Sequence, residues 1–166
     1  MASEREWATG YYMQALADMR TARILQGEEP SVLAMLLQMV LEKLAKAALL
    51  RGGQLTIDRA KGSHSAASTL VHLIGNNRRI CARLGLVPAT VRKLLAPVVD
   101  QLERSHPSLS PNGPYLDYPW EAPSGEIQWP AEHLGVARRF RSKAVEGQRL
   151  FDLAERLCAR FDQAFP

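Results

Sequence analysis

Apolar residues recur along this chain at helical spacing, and one stretch dominates the pattern. Residues 31–51, SVLAMLLQMVLEKLAKAALLR, are apolar around almost the whole circumference of a helix. Gln38, Glu42, Lys43 and Lys46 interrupt that surface before the terminal Arg51. At about 100° per residue, Gln38, Glu42 and Lys46 fall on one narrow strip. A helix wet on one strip and dry elsewhere belongs in the middle of a bundle. Ser31 is its expected cap, and Gly52-Gly53 its expected stop.

The flanking pattern predicts further helices. Ser3-x-x-Glu6 reads as a capping box, after which Trp7, Tyr11, Ala15, Met19, Ala22 and Leu25 share a face up to Gly27. Asp18 projects onto that face and calls for a Lys or Arg of the next helix, Lys46 first. Beyond Gly52-Gly53 a polar loop is expected to Gly62, then a short helix capped by Ser63 or Ser65 and ending at Ile74. Gly75-Asn76-Asn77 breaks it. Residues 78–84 give a helical turn or two. Pro88 opens a helix to about Glu103, with a kink or break near Ala96 imposed by Pro97. The final helix is expected over residues 131–165, interrupted near Gly135. Leu150, Phe151, Ala154, Leu157, Cys158, Phe161 and Phe165 form its apolar face, and Gly147 on that face permits close helix contact.

Residues 105–130 differ in kind. Pro107, Pro111, Pro114, Pro119, Pro123 and Pro130 exclude helix over most of the segment, and Tyr115, Tyr118, Trp120 and Trp129 crowd into it. A loop this long in a compact domain is functional or mobile, and its aromatics indicate that it packs.

Composition narrows the class. The chain has 166 residues, 46% hydrophobic and 23% charged, and a net charge of +4. Those values fit one soluble globular domain over residues 1–166, and they permit an anionic partner without demanding one. Cys81 and Cys158 provide no disulfide framework. With no signal sequence and no apolar run of roughly twenty residues, a cytoplasmic protein without a membrane span is expected.

Gln38-x-x-x-Glu42-Lys43-x-x-Lys46-Ala47, ending at a glycine, resembles the second helix of HEPN (higher eukaryotes and prokaryotes nucleotide-binding) domains. The first helix, running from an aromatic through spaced alanines, is similar to theirs. So are SHSAASTLVHLI, where a His starts the third helix, and Tyr118-Pro119 ahead of the last one. The stretch from Trp120-Glu121 to Pro130 is longer than a minimal member has. The resemblance implies an all-α up-and-down bundle of about five helices, with a long Pro/aromatic-rich loop before the last. It also implies a homodimer and, for some members, a minimal nucleotidyltransferase partner in a toxin–antitoxin-type system.

Candidate chemistry is sparse. His64 and His72 stand eight residues apart, about 12 Å along a helix, too far to share a metal ion. There is no CxxC pair, phosphate loop, dinucleotide fingerprint or nucleophile elbow, and no cofactor is expected. Ribonuclease members of the HEPN family carry an Arg and a His four to six residues apart, as Arg59 and His64 are. That pair could shuttle a proton at a ribose 2′-OH and offset phosphate charge without metal. In the family, however, the motif introduces the last helices and a polar residue follows the Arg; here it precedes the third helix, and Ala60 follows. The preferred reading is therefore a non-catalytic binding module for a nucleotide, an RNA or a nucleotidyltransferase partner. A metal-independent ribonuclease and a structural helical adaptor are the alternatives. Glu42, Lys46, Asp117, Tyr118 and Trp120 are the candidate ligand residues, facing one pocket between the loop and the central helix. Arg138, Arg139, Arg141 and Lys143 are the candidate anion binders. The Arg face of the last helix, with Arg149, Arg156 and Arg160, reads as a solvated surface whose charge Asp152 and Glu155 partly consume.

Overall fold

The computed structural model describes residues 2–141 and 144–166. The first helix, α1 (Glu4–Ile24), begins at the expected capping box. Ser3 Oγ accepts the Glu6 N–H at 3.3 Å, and the Glu6 carboxylate accepts the Ser3 N–H at 2.7 Å. It lays Ala8, Ala15 and Ala22 inward, small side chains that let it approach α2 (Pro30–Arg51), with the larger Met19 buried among them.

α2 is the axis of the molecule, packed by α1 and by elements introduced below. Its cap is Glu29 rather than Ser31. Pro30 takes the first helical position, where a missing N–H is harmless, and the Glu29 carboxylate accepts from Ser31 N–H at 3.3 Å and Oγ at 3.1 Å. The polar strip of α2 is not wet as expected. Gln38 and Lys46 are only 4% and 5% exposed, so their polar groups must be satisfied within the protein.

The expected polar loop after Gly53 contains a helix, α3 (Ile57–Gly62), whose Arg59 N–H is accepted by Thr56 Oγ1 at 3.5 Å. Next, α4 (Ala66–Asn76) runs two residues past Ile74. Neither serine caps it by side chain. The Glu103 carboxylate, from a later helix, instead accepts the Ser68 N–H at 2.9 Å. The break falls at Asn77, whose Oδ1 accepts the N–H groups of Arg79 and Ile80 and so starts α5 (Arg78–Leu84).

Pro97 does not break the helix that contains it, and the departure from α geometry lies just before Ala96. α6 (Pro88–Thr90) widens into a π-helical segment, Val91–Leu95, and continues as α7 (Ala96–Arg104). Ala96 N–H reaches back five residues to the Val91 carbonyl, and the wider turn accommodates a proline that has no N–H to donate.

The 105–130 segment packs only in part, burying Leu116, Trp120 and Ala122 while Tyr118 and Trp129 stay exposed, and contains a short antiparallel hairpin of β1 (Trp120–Glu121) and β2 (Ile127–Gln128). Gly125, at φ +85°, takes the left-handed position of its turn. The interruption expected near Gly135 is present but wider than a break in one helix: the segment is three pieces, α8 (Pro130–His133), a 3₁₀ turn (Gly135–Phe140) and α9 (Val145–Ala164). The 3₁₀ turn doubles back onto α9 so closely that a Cβ on Gly147 would overlap the Arg139 carbonyl oxygen. A continuous helix cannot make that contact with itself.

One buried cluster extends from Ala15 to Ala164 and includes Met19, Leu37, Leu41, Leu44, Leu70 and Phe161. The fold is all-α, with strand confined among the described residues to that hairpin.

Candidate functional site

Glu42 is the centre of a polar cluster set into the apolar wall of α2. Gln38 Nε2 donates to its Oε2 at 2.8 Å, and Lys46 Nζ donates to its Oε1 at 2.6 Å. The spacing i−4, i, i+4 that drew the strip in sequence thus becomes a ladder of side chains one turn apart. His64, in the α3–α4 connection, brings Nδ1 to 3.4 Å from Glu42 Oε1. No hydrogen bond forms there, and this buried nitrogen has no hydrogen-bond partner among the described residues. His106, just past α7, stacks on His64 with ring centres 4.0 Å apart and planes 15° from parallel. Lys46 also lies 5.6 Å from the centre of the Tyr11 ring.

Asp18 does not pair with Lys46, as the sequence suggested. Lys43 takes it, Nζ to Oδ2 at 2.6 Å, because the Lys46 ammonium is committed to Glu42. Lys43, the Glu42 cluster, Tyr11, the two histidines and Asp117 line a cleft of about 310 Å³ between α1, α2 and the loop after α7. That volume is at the small end of the range for ligand pockets.

The charges in the cleft are held unequally. Burial opposes the Glu42 charge, yet the Lys46 and Gln38 hydrogen bonds, with the Lys46 and His64 charges, outweigh it and hold the carboxyl below its ordinary value. His106 is pushed down by burial first and by His64 next, against the pull of Glu42 and Asp117. Glu103, buried at the N-terminus of α4, is pushed up by burial, which the Ser68 and Ala67 hydrogen bonds only partly offset; the Glu42 charge adds to the rise.

The cleft therefore gathers Glu42, Lys46 and Asp117 from the expected pocket residues and adds His64, His106 and Tyr11. Tyr118 and Trp120 lie elsewhere. Tyr118 is exposed, and Trp120 is buried beside a separate groove with Tyr115 and Glu121. Arg59 lines another groove with Leu49, Leu55 and Leu73, so within one chain it does not share a cleft with His64. In the expected anion run, Arg139 pairs with Glu146 at 3.4 Å while Arg138 and Arg141 are exposed; Lys143 lies outside the described residues.

His106 escaped the sequence reading as a site residue because nothing local marks it. Only the turn of the chain after α7 brings it onto His64. Among the described residues no group of three His, Cys, Asp or Glu side chains is placed to hold a metal ion, and no helix is long and apolar enough to cross a membrane. No known protein family, curated protein or solved structure matches the chain.

Proposed function

We propose that this chain is a HEPN-like, non-catalytic binding module whose cleft on α2 receives a nucleotide, either free or presented by an RNA or a nucleotidyltransferase partner. The observation that carries the reading is the Glu42 cluster. It places an ionised carboxylate, a buried amide, two lysines and two imidazoles along a cleft in an otherwise apolar helix. Such a mixture of donors and acceptors suits a base edge and a phosphate better than an apolar ligand. Homodimerisation and a toxin–antitoxin setting belong to the same proposal and rest on the resemblance of the α2 strip.

The test is thermal unfolding and calorimetric titration with the four nucleoside monophosphates, beside Asp117→Asn and His106→Ala. Both substitutions lie outside the helices. A rise in Tm with one nucleotide, and at least a tenfold weaker Kd in either variant, supports the cleft. No response to any of the four at millimolar concentration defeats it.

Exposed Tyr118, Ile127 and Trp129 near the hairpin favour the adaptor as a second reading. The ribonuclease needs Arg59 from a second chain to approach His64. RNA cleavage in excess EDTA that is lost in both Arg59→Ala and His64→Ala would establish it.

A further inference from the structure

A basic surface forms where α5 meets α9, and neither helix shows it alone. Between Asp58 and Asp100 the sequence contains no Asp or Glu, so α5 sits in a long acid-free tract. Its Arg78, Arg79 and Arg83 are exposed on the half of the helix opposite buried Cys81 and Leu84. On α9, Arg149, Arg156 and Arg160 fall within a narrow stripe at about 100° per residue, and all three are exposed.

The two helices pack together, with the C-terminus of α5 against this stripe. Arg156 donates to the carbonyls of Leu84 and Gly85 at 3.2 and 2.7 Å, and Arg160 donates to the Arg83 carbonyl at 3.2 Å. These bonds fix two guanidinium groups against the end of α5 and use one nitrogen of each, leaving further N–H donors.

The sequence argument that Asp152 and Glu155 partly consume the charge of the α9 face fails for Glu155. Glu155 turns to α1, where both its oxygens bind Arg23 at 2.6 and 2.7 Å. Among the described residues none of the six arginines of α5 and α9 has a carboxylate within ion-pair distance. Asp152 is the acid that remains exposed on the stripe side of α9.

We propose that the α5–α9 arginine surface binds the phosphate backbone of a single-stranded nucleic acid. Guanidinium forks match phosphate oxygens two at a time. A stripe spanning about 16 Å of helix, at 1.5 Å per residue, suits a polyanion with regularly repeated charge. Ala82 and Ala159 are exposed between the arginines on the two helices, so the surface offers neither the bulky apolar anchor of a membrane-surface helix nor an aromatic platform for stacking bases. The contacts are therefore to backbone and carry little sequence preference. This surface is distinct from the α2 cleft and does not depend on the cleft having a ligand.

The experiment is fluorescence anisotropy of a labelled 20-nucleotide uridine homopolymer against the full chain, at several salt concentrations. Arg79→Ala/Arg83→Ala and Arg78→Ala/Arg149→Ala remove no interhelical hydrogen bond and should melt like the parent. Each double variant should bind about tenfold or more weakly in low salt. Each should also flatten the log K against log salt slope by about 1.4, at roughly 0.7 per lost phosphate contact. Asn112→Ala, in the 105–130 segment and lining neither the arginine surface nor the α2 cleft, should change neither quantity. Three results would overturn the proposal: no binding of the homopolymer by the parent chain, an unchanged slope in both double variants, or equal losses from Arg138→Ala/Arg141→Ala. Binding to vesicles containing phosphatidylserine but not to the homopolymer would also overturn it, and would reassign the surface to lipid.

Discussion

Glu42 and Lys46 show how much one buried charge owes to another. Their side chains are 12% and 6% exposed and share a 2.6 Å contact, so removing one partner leaves the other ionised without compensation. Glu42→Gln should cost about 3 kcal/mol in urea denaturation, near the usual loss for breaking a buried pair. Replacing both, Glu42→Leu with Lys46→Met, should recover most of that loss, because the apolar pair carries no desolvation cost. A single variant losing less than about 1 kcal/mol would mean that water or a shifted side chain satisfies the lysine. The strip was legible in the sequence because helical spacing brings Gln38, Glu42 and Lys46 into line. Its burial was not. Whether a polar strip faces solvent or a cleft depends on what packs over it, here a histidine from each of two later connections. The Asp18 partner was missed for a related reason: Lys43 and Lys46 were both within reach, and the choice turned on Lys46 already being taken by Glu42.

Between elements, the contacts that matter are backbone contacts, and these are the hardest to read from side-chain pattern. Gly147 was marked as a close-approach point, correctly, but the approaching partner is the Arg139 carbonyl of the 3₁₀ turn rather than another helix. Gly147→Ala should therefore destabilise the chain by about 3 kcal/mol, the upper part of the usual overpacking range. Chemical denaturation checks it, and a loss below about 1 kcal/mol would mean the turn can retreat. The helix starts at Ser3 and Pro88 and the α5 bounds were legible because capping residues and proline act locally. The interruption near Gly135 was legible too, but the 3₁₀ turn and the start of α9 at Val145 were not, since the apolar spacing of α9 extends backward without a strong breaker until Gly135. The hairpin had a local signal that went unused, Pro123-Ser124-Gly125, with proline set for a turn and glycine for its left-handed residue. α4 offers a second test at this scale. Its N-terminus is capped by Glu103 across the bundle, and burial raises that carboxyl, so the charged form is disfavoured in the fold. Its stabilising contribution is complete below the unfolded value of about 4.5 and is lost as pH rises through the higher folded value. Glu103→Gln keeps an oxygen for Ser68 N–H without the charge. It should be as stable as the parent or more so at pH 7, and relatively less favoured near pH 4.

At the scale of the whole molecule, the 105–130 segment is held to the bundle partly by an imidazole stack, which ties its attachment to pH. Leu116 N–H donates to the Ser105 carbonyl at 3.1 Å, closing the first part of the loop beside α7, and His106 at its root stacks on His64. The groups acting on His106 come from three sides: Glu42 and Lys46 from α2, His64 from the α3–α4 connection, and Asp117 from the loop itself. Burial and His64 win over the two carboxylates, so the folded value lies below the unfolded value of about 6.5. The unfolded chain thus takes up this proton first. The stability that neutral His106 contributes is complete above pH 6.5 and falls as pH drops through the folded value. Glu42, also depressed, adds a loss at more acid pH, beginning below about 4.5. Glu103 acts in the opposite sense, so global stability alone mixes the three. The local reading is cleaner. Hydrogen exchange at the Leu116 amide should accelerate between pH 7.5 and 5.5, after correction for the intrinsic pH dependence of exchange. Amides in the middle of α2 should keep their protection. His106→Phe retains a ring for the stack but cannot be protonated, and its corrected Leu116 exchange should be flat over the same window. Equal acceleration in parent and variant would place the sensitivity outside His106 and remove the stack as the pH-dependent tie between loop and cleft.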